Sequence, residues 1–487
     1  MTKSLTRVAL VVLTLFAALL VNVNVIQVVQ AESYAERDAN RQLARDFSVR
    51  RGAIRAADGA DIARVQETPD QLRFLRVYDG GPLFAHVTGF LSPVFGKTEL
   101  EESADEALSG AGNAIDTFAD LIANREPVGD TVVSTIVPEV QEAARSALGD
   151  RRGAVVALDP ASGEVLALWS FPSYDPNLLT ANTPETRAAW DALQADPARP
   201  LSNRATSELF APGSTFKLVT AAAALENGLD PNTQFPDPRS LDLPGTDALI
   251  PNFGGSLCNG GQPLNLFDAI RVSCNTAFGQ LGIDVGGVAL ATQAERFGFT
   301  TTLGGQMPRV APSQITTPEL PPEQIDAATA AQTAIGQRDV VATPLQMAAV
   351  TAAIGADGIL YAPRLVSRHV DAADSELRRF EPAQVSQAVS PATAAILTEA
   401  MIGVVARGTG RQAQIPGVEV AGKTGTAQRG EGQNPNVWFV GFAPAQDPRV
   451  AVAVLVEDGG GVGSEATGGQ LAAPIARAVL QAGLARP

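Results

Sequence analysis

The sequence predicts an α+β protein in which an antiparallel sheet surrounds a helical block, and three observations carry that prediction. Residues 153–158 and 165–168 are apolar runs separated by the turn cluster Asp159-Pro160-Ala161-Ser162-Gly163, which reads as a hairpin. Three more strand-like runs, 418–428, 437–442 and 450–457, lie near the C-terminus and precede a helical pattern over 470–484. Between the two groups of strands, residues 213–354 are rich in alanine and in helix start and stop signals.

Taken in order, the chain opens on a stretch with no charge between Arg7 and Glu32. Its apolar part, residues 8–29, would be about 33 Å long as a helix, enough to cross a bilayer core. Lys3 and Arg7 precede it, so the positive-inside rule makes 1–7 a cytoplasmic tail and exports everything that follows. A cleaved signal is the competing reading, because Val29-Gln30-Ala31 resembles a peptidase site; the length of the apolar run favours a transmembrane anchor. Residues 33–130 read as a separate N-terminal domain of short strands and turns, with Arg51-Gly52-Ala53-Ile54 at its start. Gly80-Gly81-Pro82, Gly89 and Gly96 are its turn signals, and an acidic amphipathic stretch covers 99–125. Residues 131–487 form the second domain, and its best-marked helix starts at Ser214 after Pro212-Gly213, runs to Leu225 and stops at Asn227-Gly228. Thr343-Pro344 offers an N-cap and a first-turn proline for another helix.

Composition removes whole classes of function. With 52 acidic against 36 basic residues in 487, the net charge of −16 provides no field for a phosphate backbone, so nucleic acid is excluded as a partner. Two histidines, His86 and His369, and two cysteines, Cys258 and Cys274, argue against a zinc cluster; no metal or cofactor is expected. Lysine is scarcer than its charge role would suggest: Lys3, Lys97, Lys217 and Lys423 are the only four. Arginine cannot release its proton at accessible pH, whereas a desolvated lysine can, so the retained lysines point to proton transfer.

Ser214 and Lys217 stand three residues apart at a helix start, which puts both on one face. A neutral amine there can take the serine's proton and make it a nucleophile without any histidine. Ser273-Cys274-Asn275 follows, a weak signal alone, and then Lys423-Thr424-Gly425-Thr426 in a strand-like run. Lys-Thr-Gly is the sharper motif, with about 0.03 chance occurrences expected in a chain of this composition.

In this order the three motifs resemble those of the penicillin-binding proteins and serine β-lactamases. Arg51-Gly52-Ala53-Ile54, Pro172-Ser173-Tyr174-Asp175-Pro176-Asn177, Ala211-Pro212-Gly213, Ile335-Gly336-Gln337 and Trp438-Phe439-Val440-Gly441 extend the resemblance to class B penicillin-binding proteins, most closely the actinobacterial penicillin-binding protein A group. That resemblance implies a transpeptidase domain at 131–487 on a dimerisation-like pedestal, and a D,D-transpeptidase that cross-links peptidoglycan stem peptides. Ser214 would be the nucleophile and Lys217 the base. Ser273, held by Lys423, would pass the proton to the leaving D-alanine, and Asn275 would hold the substrate backbone. Lys423, Thr424, Gly425 and Thr426 would bind the substrate carboxylate, with the oxyanion on the backbone N–H groups of Ser214 and Thr426. β-Lactam antibiotics would acylate the same serine. With no room for a second catalytic domain at 33–130, the implied partner is a SEDS-family membrane glycosyltransferase. A D,D-carboxypeptidase, a β-lactamase and a non-catalytic β-lactam sensor or scaffold are the alternatives.

The cysteines are read from the residues themselves. Both fall on the oxidising side of the expected membrane, and an even pair in an otherwise cysteine-free chain favours a Cys258–Cys274 disulfide over two buried thiols.

Overall fold

The computed structural model describes residues 13–16, 19, 47, 49–69, 72–110, 128–301, 303, 307–317, 320–430 and 432–486. The expected tail at 1–7, most of the expected anchor at 8–29 and the acidic stretch from 111 to 125 lie outside the described residues. Among the described residues no helix is long and apolar enough to cross a membrane.

The C-terminal half is built on a five-stranded antiparallel sheet in the order Ala421–Ala427, Asn436–Ala443, Val450–Val456, Gly153–Leu158 and Val165–Phe171. Its central strand, Val450–Val456, is buried along its whole length, because helices cover both faces and remove the need for polar alternation. Side chains still sort by parity. Val450, Val452, Val454 and Val456 pack with the helices Pro138–Leu148 and Gly468–Leu484, while Ala451, Ala453 and Leu455 share a core with the helix Pro344–Gly355. That last helix starts as the sequence predicts, with Thr343 Oγ1 accepting from the Gln346 N–H and Pro344 in the first turn.

The predicted helix at Ser214 differs in one respect. A 3₁₀ turn, Gly213–Thr215, carries Ser214, and the α-helix proper is Lys217–Glu226, capped at Asn227. Gly213 adopts φ 52°, a conformation that serine or alanine would resist, and this sets the tight turn that presents Ser214.

The N-terminal half centres on a six-stranded sheet in the order Glu376–Arg379, Val366–Val370, Thr131–Ser134, Ile54–Arg55, Asp61–Glu67 and Phe74–Val77. Its first two strands come from beyond residue 360, so strands from both ends of the chain share this sheet. A buried ion cluster holds it to the neighbouring helix Glu99–Ser103. Arg51 Nε donates to Glu101 Oε2 at 2.7 Å, Arg76 Nε donates to Glu101 Oε1 at 2.6 Å, and Arg51 Nη1 reaches Asp105 at 2.7 Å. Gly52 follows because a Cβ there would sit 1.9 Å from the Asp130 carbonyl oxygen. The Arg-Gly pair is thus required by packing.

Candidate active site

Three elements converge on one cleft. The turn with Ser214 lies against the edge strand Ala421–Ala427, close enough that a Cβ on Gly425 would come within 3.0 Å of the Pro212 carbonyl. From behind, Gly336 supports the turn: its carbonyl accepts from the Gly213 N–H at 3.0 Å, and a Cβ at Gly336 would clash with the Gly213 carbonyl at 2.1 Å. The third element is the junction between the helices Leu266–Val272 and Asn275–Val285, where Ser273 takes a left-handed conformation, φ 63° and ψ 42°. Few non-glycine residues adopt that backbone, and here it turns the chain so that Ser273 and Asn275 face Lys217.

Lys217 and Lys423 are both fully buried. Lys217 Nζ donates to the Ser273 carbonyl at 2.8 Å and to Asn275 Oδ1 at 2.7 Å, with Ser273 Oγ at 3.4 Å. Lys423 Nζ donates to Ser273 Oγ at 2.8 Å and to the Thr424 carbonyl at 2.9 Å. Ser273 Oγ therefore sits between two amines. No carboxylate pairs with either lysine among the described residues, and the Phe278 ring lies 5.5 Å from Lys217 Nζ to its centroid. Burial, and then the neighbouring Lys423 charge, hold the Lys217 ammonium well below the ordinary lysine value. Burial brings Lys423 down to about 7. A neutral amine beside a hydroxyl can accept a proton at neutral pH, which a solvated lysine cannot.

Of the residues singled out by sequence, Lys217, Ser273, Asn275 and Lys423 form this hydrogen-bonded group, and Ser214 lies on the turn one step before Lys217. Thr426 is partly exposed on the edge strand. Thr424 is buried, with its hydroxyl 2.6 Å from that of Thr409. Gly425 is needed for the close approach of the turn.

Sequence reasoning missed the residues that hold the middle motif. Asn252 Oδ1 accepts from the backbone N–H of Asn275 at 3.1 Å and of Thr276 at 3.0 Å, so a residue 23 positions away caps the helix that carries Asn275. Asp237 accepts from the N–H of Cys258, Asn259 and Gly261 at 2.7–2.9 Å. Burial alone would raise its carboxyl, but those three donors hold it below its ordinary value. The same loop brings Cys258 to Cys274, with Cα atoms 5.7 Å apart and the sulfurs within bonding distance. An Asn and an Asp in a Pro- and Gly-rich stretch are ordinary turn residues, so no local signal marks these two.

Comparison with known proteins places this geometry. Residues 153–481 match the penicillin binding protein transpeptidase domain, and residues 51–132 match the penicillin binding protein A dimerisation domain. The chain is 42% identical over 496 residues to the peptidoglycan D,D-transpeptidase PbpA of Mycolicibacterium smegmatis, covering 99% of both chains. It is also 42% identical to PbpA of Mycobacterium tuberculosis over 498 residues, again covering 99% of each. The penicillin-binding protein A of M. tuberculosis in its ceftriaxone acyl-enzyme complex superposes with a TM-score of 0.84, at 42% identity, over 91% of this chain and all of that one. Its penicillin G acyl-enzyme complex gives 0.83 over 90% of this chain.

Proposed function

Because the chain belongs to the penicillin-binding protein transpeptidase family, as a class B member, we propose that it is a peptidoglycan D,D-transpeptidase acylated on Ser214. The observation that carries the assignment of roles is the pair of buried lysines converging on Ser273 with no acidic partner among the described residues. Lys217 takes the Ser214 proton, and Oγ attacks the carbonyl between the two terminal D-alanines of a stem peptide. The tetrahedral oxyanion is held by the backbone N–H groups of Ser214 and Thr426, each such donor typically contributing a few kcal/mol. As the C–N bond breaks, Ser273 delivers a proton to the departing D-alanine amine and is reprotonated through the lysine pair. The ester then receives an amine from a neighbouring strand, a new amide forms, and the Ser214 hydroxyl is restored. One peptide bond is exchanged for another, so the reaction needs no nucleotide or cofactor.

Lys423, whose charge is only partly suppressed, attracts the substrate carboxylate with Thr424 and Thr426, and Asn275 receives the peptide backbone. The strand Ala421–Ala427 supports this reading because it is a sheet edge with one free side, on which an extended peptide can add as a further strand. The Cys258–Cys274 pair is read as a disulfide of the exported protein that holds the 252–261 loop against the Ser273 turn. Residues 8–29 anchor the chain with its catalytic part outside the membrane, and the N-terminal half contacts a SEDS-family glycosyltransferase that supplies the glycan.

The test is to supply the protein with lipid-linked glycan polymer made by such a polymerase, and to follow D-alanine release together with cross-linked dimers. Release matched by dimers supports the proposal. Release without dimers would indicate a carboxypeptidase, and labelling by penicillin with neither product would indicate a sensor.

A further inference from the structure

A second cleft, of about 530 Å³, lies between the N-terminal and catalytic halves and shares no residue with the site around Ser214. Its lining includes Glu99, which is 7% exposed. Glu99 Oε1 accepts one long hydrogen bond, 3.4 Å, from Asn203, and Oε2 has no partner among the described residues. The backbone of Glu99 adopts φ 49°, a left-handed conformation in which a long side chain is uncommon. Strain of this kind persists where the surroundings over-determine it, and it concentrates at functional positions.

The surroundings supply aromatic faces and, among the described residues, one cation that acts on Glu99, Arg309. Phe90, Tyr174 and Trp190 form a wall, with Trp190 held by stacking on Phe95 at 4.3 Å. Arg309 also lines the cleft, but its guanidinium is 2.6 Å from Glu102, an acid outside the lining. Burial pushes the Glu99 carboxyl up to about 8, an effect that Asn203 and Arg309 only partly offset. Glutamine would fill the same space without that burden. A carboxylate beside aromatic faces is the arrangement that recognises a substituted ammonium, through an ion pair and cation–π attraction together.

We propose that this cleft binds a primary ammonium group, with Glu99 as its counter-ion and Phe90, Tyr174 and Trp190 as its walls. Two sources carry that chemistry: a free diamine, and the side-chain amine of a peptidoglycan stem peptide. The inference does not rest on the transpeptidase reading, and the test keeps the two apart by first blocking Ser214 with penicillin G.

The blocked, full-length protein is titrated by calorimetry with 1,5-diaminopentane, with the neutral 1,5-pentanediol, and with a soluble muropeptide bearing a free side-chain amine or its N-acetylated form. The diamine, the free-amine muropeptide or both should bind, which identifies the source. The diol and the acetylated form should bind at least about tenfold more weakly. Glu99→Gln should weaken amine binding by at least about tenfold. Ser207→Trp, at an exposed lining position, should block the mouth with Glu99 intact and abolish binding even if the Glu99 variant folds poorly. Equal binding of amine and diol, unchanged affinity in a folded Glu99→Gln, or no amine binding by the wild-type protein would overturn the proposal.

Discussion

Two of the buried clusters of charge among the described residues are solved in opposite ways. In the N-terminal half, Arg51 and Arg76 face Glu101 and Asp105 at 2.6–2.7 Å, so that charge is matched where water is excluded. In the catalytic half, Lys217 and Lys423 share Ser273 and have no acid at all among the described residues. Burial alone would raise the Glu101 carboxyl, yet the flanking guanidiniums hold it below its ordinary value, so it stays ionised. The lysines are pushed the other way. Compensated charge fixes a structure, and uncompensated charge leaves a base.

That contrast can be broken from either side. The largest effect is expected on the lysine side: Ser214→Ala should abolish labelling by a fluorescent penicillin. Lys217→Arg should slow it by at least about 10³-fold despite keeping the charge, since a guanidinium cannot accept the proton. Burst kinetics check both, and near-normal acylation of Lys217→Arg would move the base elsewhere. On the other side, Glu101→Gln leaves two arginines buried with one acid and should cost about 3–5 kcal/mol of stability. Acylation per folded molecule should be untouched, so chemical denaturation and penicillin titration together separate the clusters. The sign with pH follows from the lowered native value: the stabilisation by Glu101 is complete above the unfolded carboxylate range and is lost as pH falls through the native value.

Smaller effects sharpen the comparison at the loop that holds Ser273. Cys258→Ser should lower stability by up to about 3 kcal/mol, from the entropy of a loop closed by residues 16 apart, and slow acylation, measured by melting with and without reductant. Asn252→Ala removes the acceptor for two helix N–H groups and should cost about 1 kcal/mol, with a loss of acylation rate larger than its loss of stability. A variant slowed only in proportion to its unfolding would reduce Asn252 to a packing role.

The catalytic group was legible because its chemistry lies in short motifs: a serine and a lysine one helical turn apart, and a lysine, threonine and glycine in one strand. What escaped was held by contacts between distant residues. Asn252 and Thr409 act through single oxygen atoms on partners 15–24 positions away, which leaves no periodic trace. The shared six-stranded sheet escaped for a related reason: Ile54–Arg55 is two residues long, and Glu376–Arg379 is exposed throughout, so neither shows an apolar alternation. The long strands of the catalytic sheet were legible to within three residues at either end, Val450–Val456 from an unbroken apolar run and Ala421–Ala427 around its Lys-Thr-Gly motif.

The central claim is that burial, with no acid among the described residues to offset it, holds both lysines below the ordinary range, the Lys423 charge adding to the effect at Lys217. With four lysines in the chain, ε-carbon-labelled lysine gives a spectrum simple enough to titrate residue by residue, and Lys217→Arg and Lys423→Arg assign the two signals. The account predicts that Lys217 and Lys423 titrate well below the ordinary lysine value, with Lys423 near 7. Titration of all the lysines together near the ordinary value of about 10.4 would contradict it.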